Sequence, residues 1–194
     1  VFLMGWSEGA GAGMATQKLM EATLPEVPVN GGSLLAGPYH MSNRIGRFVI
    51  KDREDESISI YNWSVYIHNH FADNPIAAES LWSYPVENEK DALRVPSTNP
   101  VDIYADAIKA DYHQLDVIFA ASDLHTGWAP KGPIFLHSGK RDYIVPHAHS
   151  VSAVEGLRSE GANIFLYEYE GDHYEPANDY FRTTMKDFSL LMKG

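Results

Sequence analysis

An apolar tetrapeptide, Val1 to Met4, runs without pause into Gly5-Trp6-Ser7-Glu8-Gly9, and a stretch rich in small residues follows. No other feature constrains the fold as strongly. The apolar run, stopped by Gly5, predicts a short buried strand over 1–4. Residues 8–22 predict a helix, although Gly9, Gly11 and Gly13 crowd its first turns. Glycine weakens a helix, so three at alternate positions want a reason, and close approach to a neighbouring backbone is one. Strand, Gly-x-Ser-x-Gly, helix is the arrangement of a nucleophile elbow, a turn so sharp that Ser7 is strained and its hydroxyl lifted clear. Gly5 and Gly9 are expected to remove side chains that would collide in it. Ser7 then stands at a helix N-terminus, where free amides and the dipole favour developing negative charge. A phosphate-cradling turn fits badly, because the glycines read GxGxG, GxGxxG is absent and no GK[ST] follows.

The rest of the chain continues the alternation. Apolar segments at 29–35, 133–137 and 163–169 predict strands. Residues 112–122, 150–160 and 180–192 predict helices, the second closed by Gly161. Alternating strands and helices predict an α/β fold, a parallel sheet flanked by helices. Residues 43–110 differ, alternating charged patches such as KDREDES with aromatic stretches such as YNWSVYIHNHF. Within them 58–71 predicts an amphipathic helix, and the block reads as an insertion over the sheet. The expected organisation is 1–42 and 111–194 as core, with 43–110 inserted between them.

An activated serine needs a base, and the base an orienting acid. After a nucleophile elbow their chain order is Ser, Asp or Glu, then His. HSGKRDYIVP places Asp142 in the loop beyond the third strand, and YEYEGDHYEP places His173 beyond the fourth. Carboxyl ends of parallel strands collect at one edge, where ligands bind. Asp142 also suits a backbone cap in its turn, and Asp172 is a rival acid that its place beside His173 disfavours. His68-x-His70 and His147-x-His149 invite a metal reading, but residues two apart do not share a helix face and neither pair has a third ligand nearby. Tyr61, Trp63, Tyr66, Phe71, Trp82 and Tyr84 are read mainly as packing for the insertion, with a lid lining an acyl pocket as the functional alternative.

With GWSEG at 5–9, AGPY at 36–39, WAPKGPIFLHSGKRDYIVP at 128–146 and EGDH at 170–173, the chain resembles the α/β-hydrolase family, in its secretory-lipase and esterase-like branch. The resemblance implies Ser7 as nucleophile, His173 as general base and then acid, Asp142 as the residue orienting the imidazole, and the Glu8 amide in the oxyanion hole. It implies a cap at the position of the insertion and no metal or organic cofactor. By the same resemblance the strands preceding the serine turn are absent, as is the loop that lends a second oxyanion amide. A contiguous half-sheet remains. Its first strand is expected to pair with a second copy or with a missing N-terminal segment. The implied substrate is a small ester or lipid. A peptidase of the prolyl-oligopeptidase type shares the elbow and triad order, and a non-catalytic module retaining the elbow is the reading from another class.

Composition narrows the partners. A net charge of −11 without a basic stripe disfavours nucleic acid. The absence of cysteine removes disulfides, thiolate nucleophiles and sulfur-ligated zinc. No apolar run is long enough to span a bilayer, and no signal-peptide pattern is read. The compartment stays open, and the resemblance allows a secreted or periplasmic one.

Overall fold

A computed structural model describes residues 1–42 and 44–193; Asn43, where the expected insertion begins, and Gly194 lie outside the described residues. The chain divides into two compact units, Val1–His40 with Asp123–Gly194, and Met41–Ser122.

The first unit holds β1 (Phe2–Trp6), α1 (Glu8–Thr23) and β2 (Gly31–Leu35) before the chain leaves it. Among the described residues the second unit holds seven helices, α2 (Ile45–Val49), α3 (Ile58–His70), α4 (Ala78–Leu81), α5 (Glu89–Leu93), α6 (Pro100–Ile103), α7 (Asp106–Ala110) and α8 (His113–Ala120), and an isolated antiparallel bridge between Trp82 and Tyr104. On its return the chain forms β3 (Ile134–Gly139), α9 (Ala148–Ser159), β4 (Ile164–Tyr169) and α10 (Ala177–Leu191). The four strands pair in parallel in the order β1-β2-β3-β4.

Period-two alternation along the strands sorts the side chains into two layers. Leu34, Ile134, Leu136 and Ile164 face α1 and α9, packing with Met14, Ala153, Val154 and Leu157. Each of these large aliphatic side chains contributes about 1.5–3 kcal/mol when fully buried. The opposite rows carry Ser33, His137, Tyr167 and Tyr169, and α10 covers them with hydrogen-bonding groups. Ser33 Oγ lies 2.6 Å from Thr184 Oγ1 and 3.1 Å from His137 Nε2. His137 Nδ1 lies 2.8 Å from the Tyr169 hydroxyl, and the Tyr167 hydroxyl donates to Asp187 at 3.0 Å. Burial pushes the His137 imidazole down to about 3, so it is neutral in this layer.

Two expectations need correction. β1, read as a short buried strand over 1–4, spans Phe2–Trp6, and Met4 is 43% exposed at the sheet end that the half-sheet expectation left open. The last helix begins three residues before Tyr180, at Ala177, with Pro176 as its N-cap. Gly161 does close α9, at φ 93°.

In the second unit, α3 and its neighbours enclose a separate apolar core that includes Val65, Leu81, Trp82, Ile103 and Phe119. Asn62, fully buried, donates to the Tyr84 hydroxyl and the Ala92 carbonyl, both at 2.8 Å, and accepts from Trp82 Nε1–H at 2.8 Å. Tyr61 stacks on Phe48 at 4.4 Å. Of the six aromatics read as packing, Phe71 departs furthest, at 77% exposure.

Candidate active site

Ser7 closes β1 and opens α1. Its φ is 57° and its ψ −127°. Among the described residues only Ser7 and Ala36 are non-glycine residues at positive φ. Such a backbone costs about 1–3 kcal/mol and persists only where its surroundings over-determine it. Ser7 N–H donates to the Leu35 carbonyl at 2.8 Å, tying the turn to the end of β2. A Cβ on Gly5 would fall well inside van der Waals contact with the Gly9 carbonyl. The Tyr180 hydroxyl, from α10, accepts from Gly5 N–H at 3.2 Å and lies 3.0 and 2.8 Å from the Gly5 and Ser33 carbonyl oxygens. Burial pushes that phenol up to about 12, so it remains a donor at neutral pH.

Gly9 does not play the part expected of it, since a Cβ there would meet nothing within 4 Å. It points outward from the exposed start of α1. The tight glycines are the next two: a Cβ on Gly11 would lie 3.2 Å from the Pro38 ring, and one on Gly13 2.8 Å from Leu34 Cδ2. The helix therefore closes on side chains rather than on a neighbouring backbone.

Ser7 is half-buried and its side chain makes no capping bond to α1. The helix ladder begins with Ala10 N–H donating to the Ser7 carbonyl at 2.9 Å. The Glu8 and Gly9 amides thus precede it, at the positive end of the helix.

The loops after β3 and β4 are joined along their backbones. Lys140 N–H donates to the Tyr169 carbonyl at 2.8 Å and Arg141 N–H to the Gly171 carbonyl at 2.9 Å. Gly139 permits this approach, because a Cβ there would collide with the Asp172 and Gly171 carbonyl oxygens. The closure brings His173 Nδ1 to 2.8 Å from Asp142 Oδ2, with both side chains buried. Asp142 Oδ1 accepts from Ile144 N–H and Val145 N–H, each at 2.9 Å. Asp142 thus divides its oxygens, Oδ1 on two backbone amides and Oδ2 beside the His173 ring. Asp172 serves its own loop instead, accepting from Tyr174 N–H at 2.8 Å and Glu175 N–H at 3.0 Å. Those two amides hold its carboxyl below the usual range.

Trp6 connects the serine turn to the histidine loop. Its Nε1–H donates to the His173 carbonyl at 3.2 Å, and the two rings lie 6.1 Å apart. Sequence reading gave no role to Trp6, Gly139 or Tyr180. Their partners are 167, 32 and 175 residues away; Trp6, inside the GWSEG turn, and Gly139, beside the Asp142 turn, sat in stretches already singled out, but neither stretch names the distant partner.

The two histidine pairs are engaged separately. His68 Nδ1 lies 2.9 Å from the Ser64 carbonyl and its ring stacks on Phe119, while His70 stacks on Tyr66. His147 Nε2 faces Glu168 at 3.1 Å, and His149 Nδ1 accepts from His40 N–H at 3.3 Å.

No family model matches the sequence, and no curated protein matches it. Solved structures do. An esterase described as degrading rice cell walls, LipA from Xanthomonas oryzae, matches at a TM-score of 0.73 and 17% identity, over 98% of this chain and 56% of that one. A hydrolase from Legionella pneumophila, named as such without a demonstrated activity, matches at 0.74 and 14% identity over the same shares. Lipase A from Candida antarctica matches at 0.61 and 19% identity, over 89% of this chain and 44% of that one. The chain spans about half the length of the structures it matches. With its parallel sheet and flanking helices, it shares the α/β-hydrolase fold of these structures.

Proposed function

We propose that this chain carries the catalytic residues of a serine hydrolase that cleaves carboxylic esters. The observation that carries the reading is the buried His173–Asp142 hydrogen bond of 2.8 Å, tied through Trp6 to the strained serine turn. Side chains pointing apart would have favoured the non-catalytic module. In the proposed reaction Asp142 accepts the Nδ1–H of His173, which fixes the tautomer and leaves Nε2 to take the Ser7 proton. Ser7 Oγ attacks the ester carbonyl, and the Glu8 amide at the start of α1 donates to the oxyanion. His173 returns the proton to the leaving alcohol, and water, activated by the same imidazole, releases the acid.

Ester over peptide substrates is favoured because the matched structures include an esterase and a lipase. The Met41–Ser122 unit is proposed as the cap, on its place in chain order. The outer edge of β1 has no strand partner among the described residues. We propose that it pairs with a further strand, from a second copy or from chain outside these residues; a monodisperse monomer by light scattering at high concentration contradicts the second-copy form.

The test is turnover of p-nitrophenyl butyrate against a proline p-nitroanilide, using the protein expressed from its complete reading frame. Ester cleavage that disappears in Ser7→Ala is expected. Preference for the anilide, or ester turnover unchanged in Ser7→Ala, contradicts the reading.

A further inference from the structure

The chain leaves the sheet unit after His40 and re-enters it at Asp123. Within that unit the two crossing points are adjacent, since Leu124 N–H donates to the Tyr39 carbonyl at 2.9 Å. His40, Asp123 and His125 gather there, each half-buried and each offering one donor atom within 4.8 Å of the others. Among the described residues no other three histidine, aspartate or glutamate side chains are arranged in this way. The His40 and His125 rings stack 3.6 Å apart at 13°. Asp123 Oδ2 stands 3.9 Å from His125 Nδ1, beyond hydrogen-bond length. His125 Nδ1 itself is buried with no hydrogen-bond partner, a condition that buried polar atoms seldom keep without a ligand.

The backbone beneath the cluster is fixed. The His125 carbonyl lies so close to Gly156 of α9 that a Cβ there would collide with it. Trp128 Nε1–H donates to the Leu124 carbonyl at 2.9 Å, and His40 N–H is held by His149. The three donor atoms already lie within 4.8 Å of one another. In a tetrahedral zinc site, bonds of about 2.0–2.2 Å set donor atoms about 3.3–3.6 Å apart, so side-chain rotation has to close the groups by at most about 1.5 Å.

We propose that His40, Asp123 and His125 bind a zinc ion, with water as fourth ligand, that clasps the exit and re-entry points of the inserted segment. Two imidazoles and one carboxylate suit a late divalent ion, whereas calcium and magnesium want a shell of oxygens. A clasp at this place closes the loop formed by residues 41–122, and metal binding that needs the folded site adds to folding free energy. The inference does not depend on the ester-hydrolase reading.

The experiment titrates chelator-treated protein with zinc chloride alone, by calorimetry, with thermal unfolding recorded in parallel. One zinc per chain and a zinc-dependent rise in the unfolding midpoint are expected. His40→Ala and His125→Ala weaken binding by roughly a hundredfold or more and abolish the rise. His113→Ala, on a 70% exposed side chain, leaves both unchanged. Zinc binding in His40→Ala and His125→Ala equal to that of the parent chain overturns the proposal, as does the absence of stoichiometric binding in the parent. If His125→Ala fails to fold, paramagnetic broadening of the His40 and His125 ring resonances by cobalt(II) reads the same site, and unbroadened resonances overturn it.

Discussion

Replacing Ser7 with glycine should make the protein more stable, although it removes the proposed nucleophile. The backbone at φ 57°, ψ −127° is open to glycine but strained for serine or alanine. Relief of that strain is worth about 1–3 kcal/mol. The extra freedom of glycine in the unfolded chain takes back about 0.5–1 kcal/mol. The Ser7 side chain caps nothing in α1, so no capping bond is lost. The net gain is about 0–2.5 kcal/mol, centred on about 1 kcal/mol, which at its centre raises the midpoint by roughly 2–4 °C for a chain of this size. Ser7→Ala is the control, because it removes the hydroxyl and keeps the strain. Scanning calorimetry on both variants separates the terms. Ala36→Gly, at the other strained position with φ 52°, should move in the same direction. A Ser7→Gly midpoint no higher than that of Ser7→Ala refutes the idea that strain is stored at this turn.

Other perturbations test the supports of the site. Asp142→Asn should lower ester turnover by about 10⁴-fold through the wrong imidazole tautomer, read as kcat on p-nitrophenyl butyrate. Gly139→Ala drives a methyl into the Gly171 and Asp172 carbonyls; a loss of about 1–3 kcal/mol by denaturant titration is expected, with turnover falling as the two loops part. Tyr180→Phe strips the partner from Gly5 N–H and should cost about 1–3 kcal/mol, with faster amide exchange at Gly5. His137 has its folded value depressed to about 3 from an ordinary 6.5. Between those values the unfolded chain binds the proton and the folded chain does not, so stability falls as pH drops through 6.5 toward 3, by at most about 1.4 kcal/mol per unit. His137→Gln should flatten the acid limb of the midpoint-versus-pH curve, and an unchanged slope contradicts the assignment.

Local sterics and strand ends were legible in the sequence. The Gly5–Gly9 pentapeptide announces a turn because glycine and serine chemistry act within a few residues of themselves. Asp142 and His173 could be placed at a common edge because each follows an apolar run, and parallel strands end together. Relations across the fold were not legible. Nothing in periodicity links Trp6 to His173, Tyr180 to Gly5, or Gly139 to the loop at 171–172. The misreading of Gly9 has the same origin, since the pattern names both glycines while the collision that needs one depends on the path of the following helix. His40, Asp123 and His125 meet only because the chain departs and returns at one place, and the spacing between 40 and 123 is silent on that.

The most direct measurement is covalent labelling by a fluorophosphonate, mapped by mass spectrometry on the protein from its complete reading frame. Activation of Ser7 by His173 and Asp142 predicts one label per chain on Ser7, lost in Ser7→Ala and strongly slowed in His173→Ala. A label on another residue, none at all, or a rate indifferent to His173 contradicts the account.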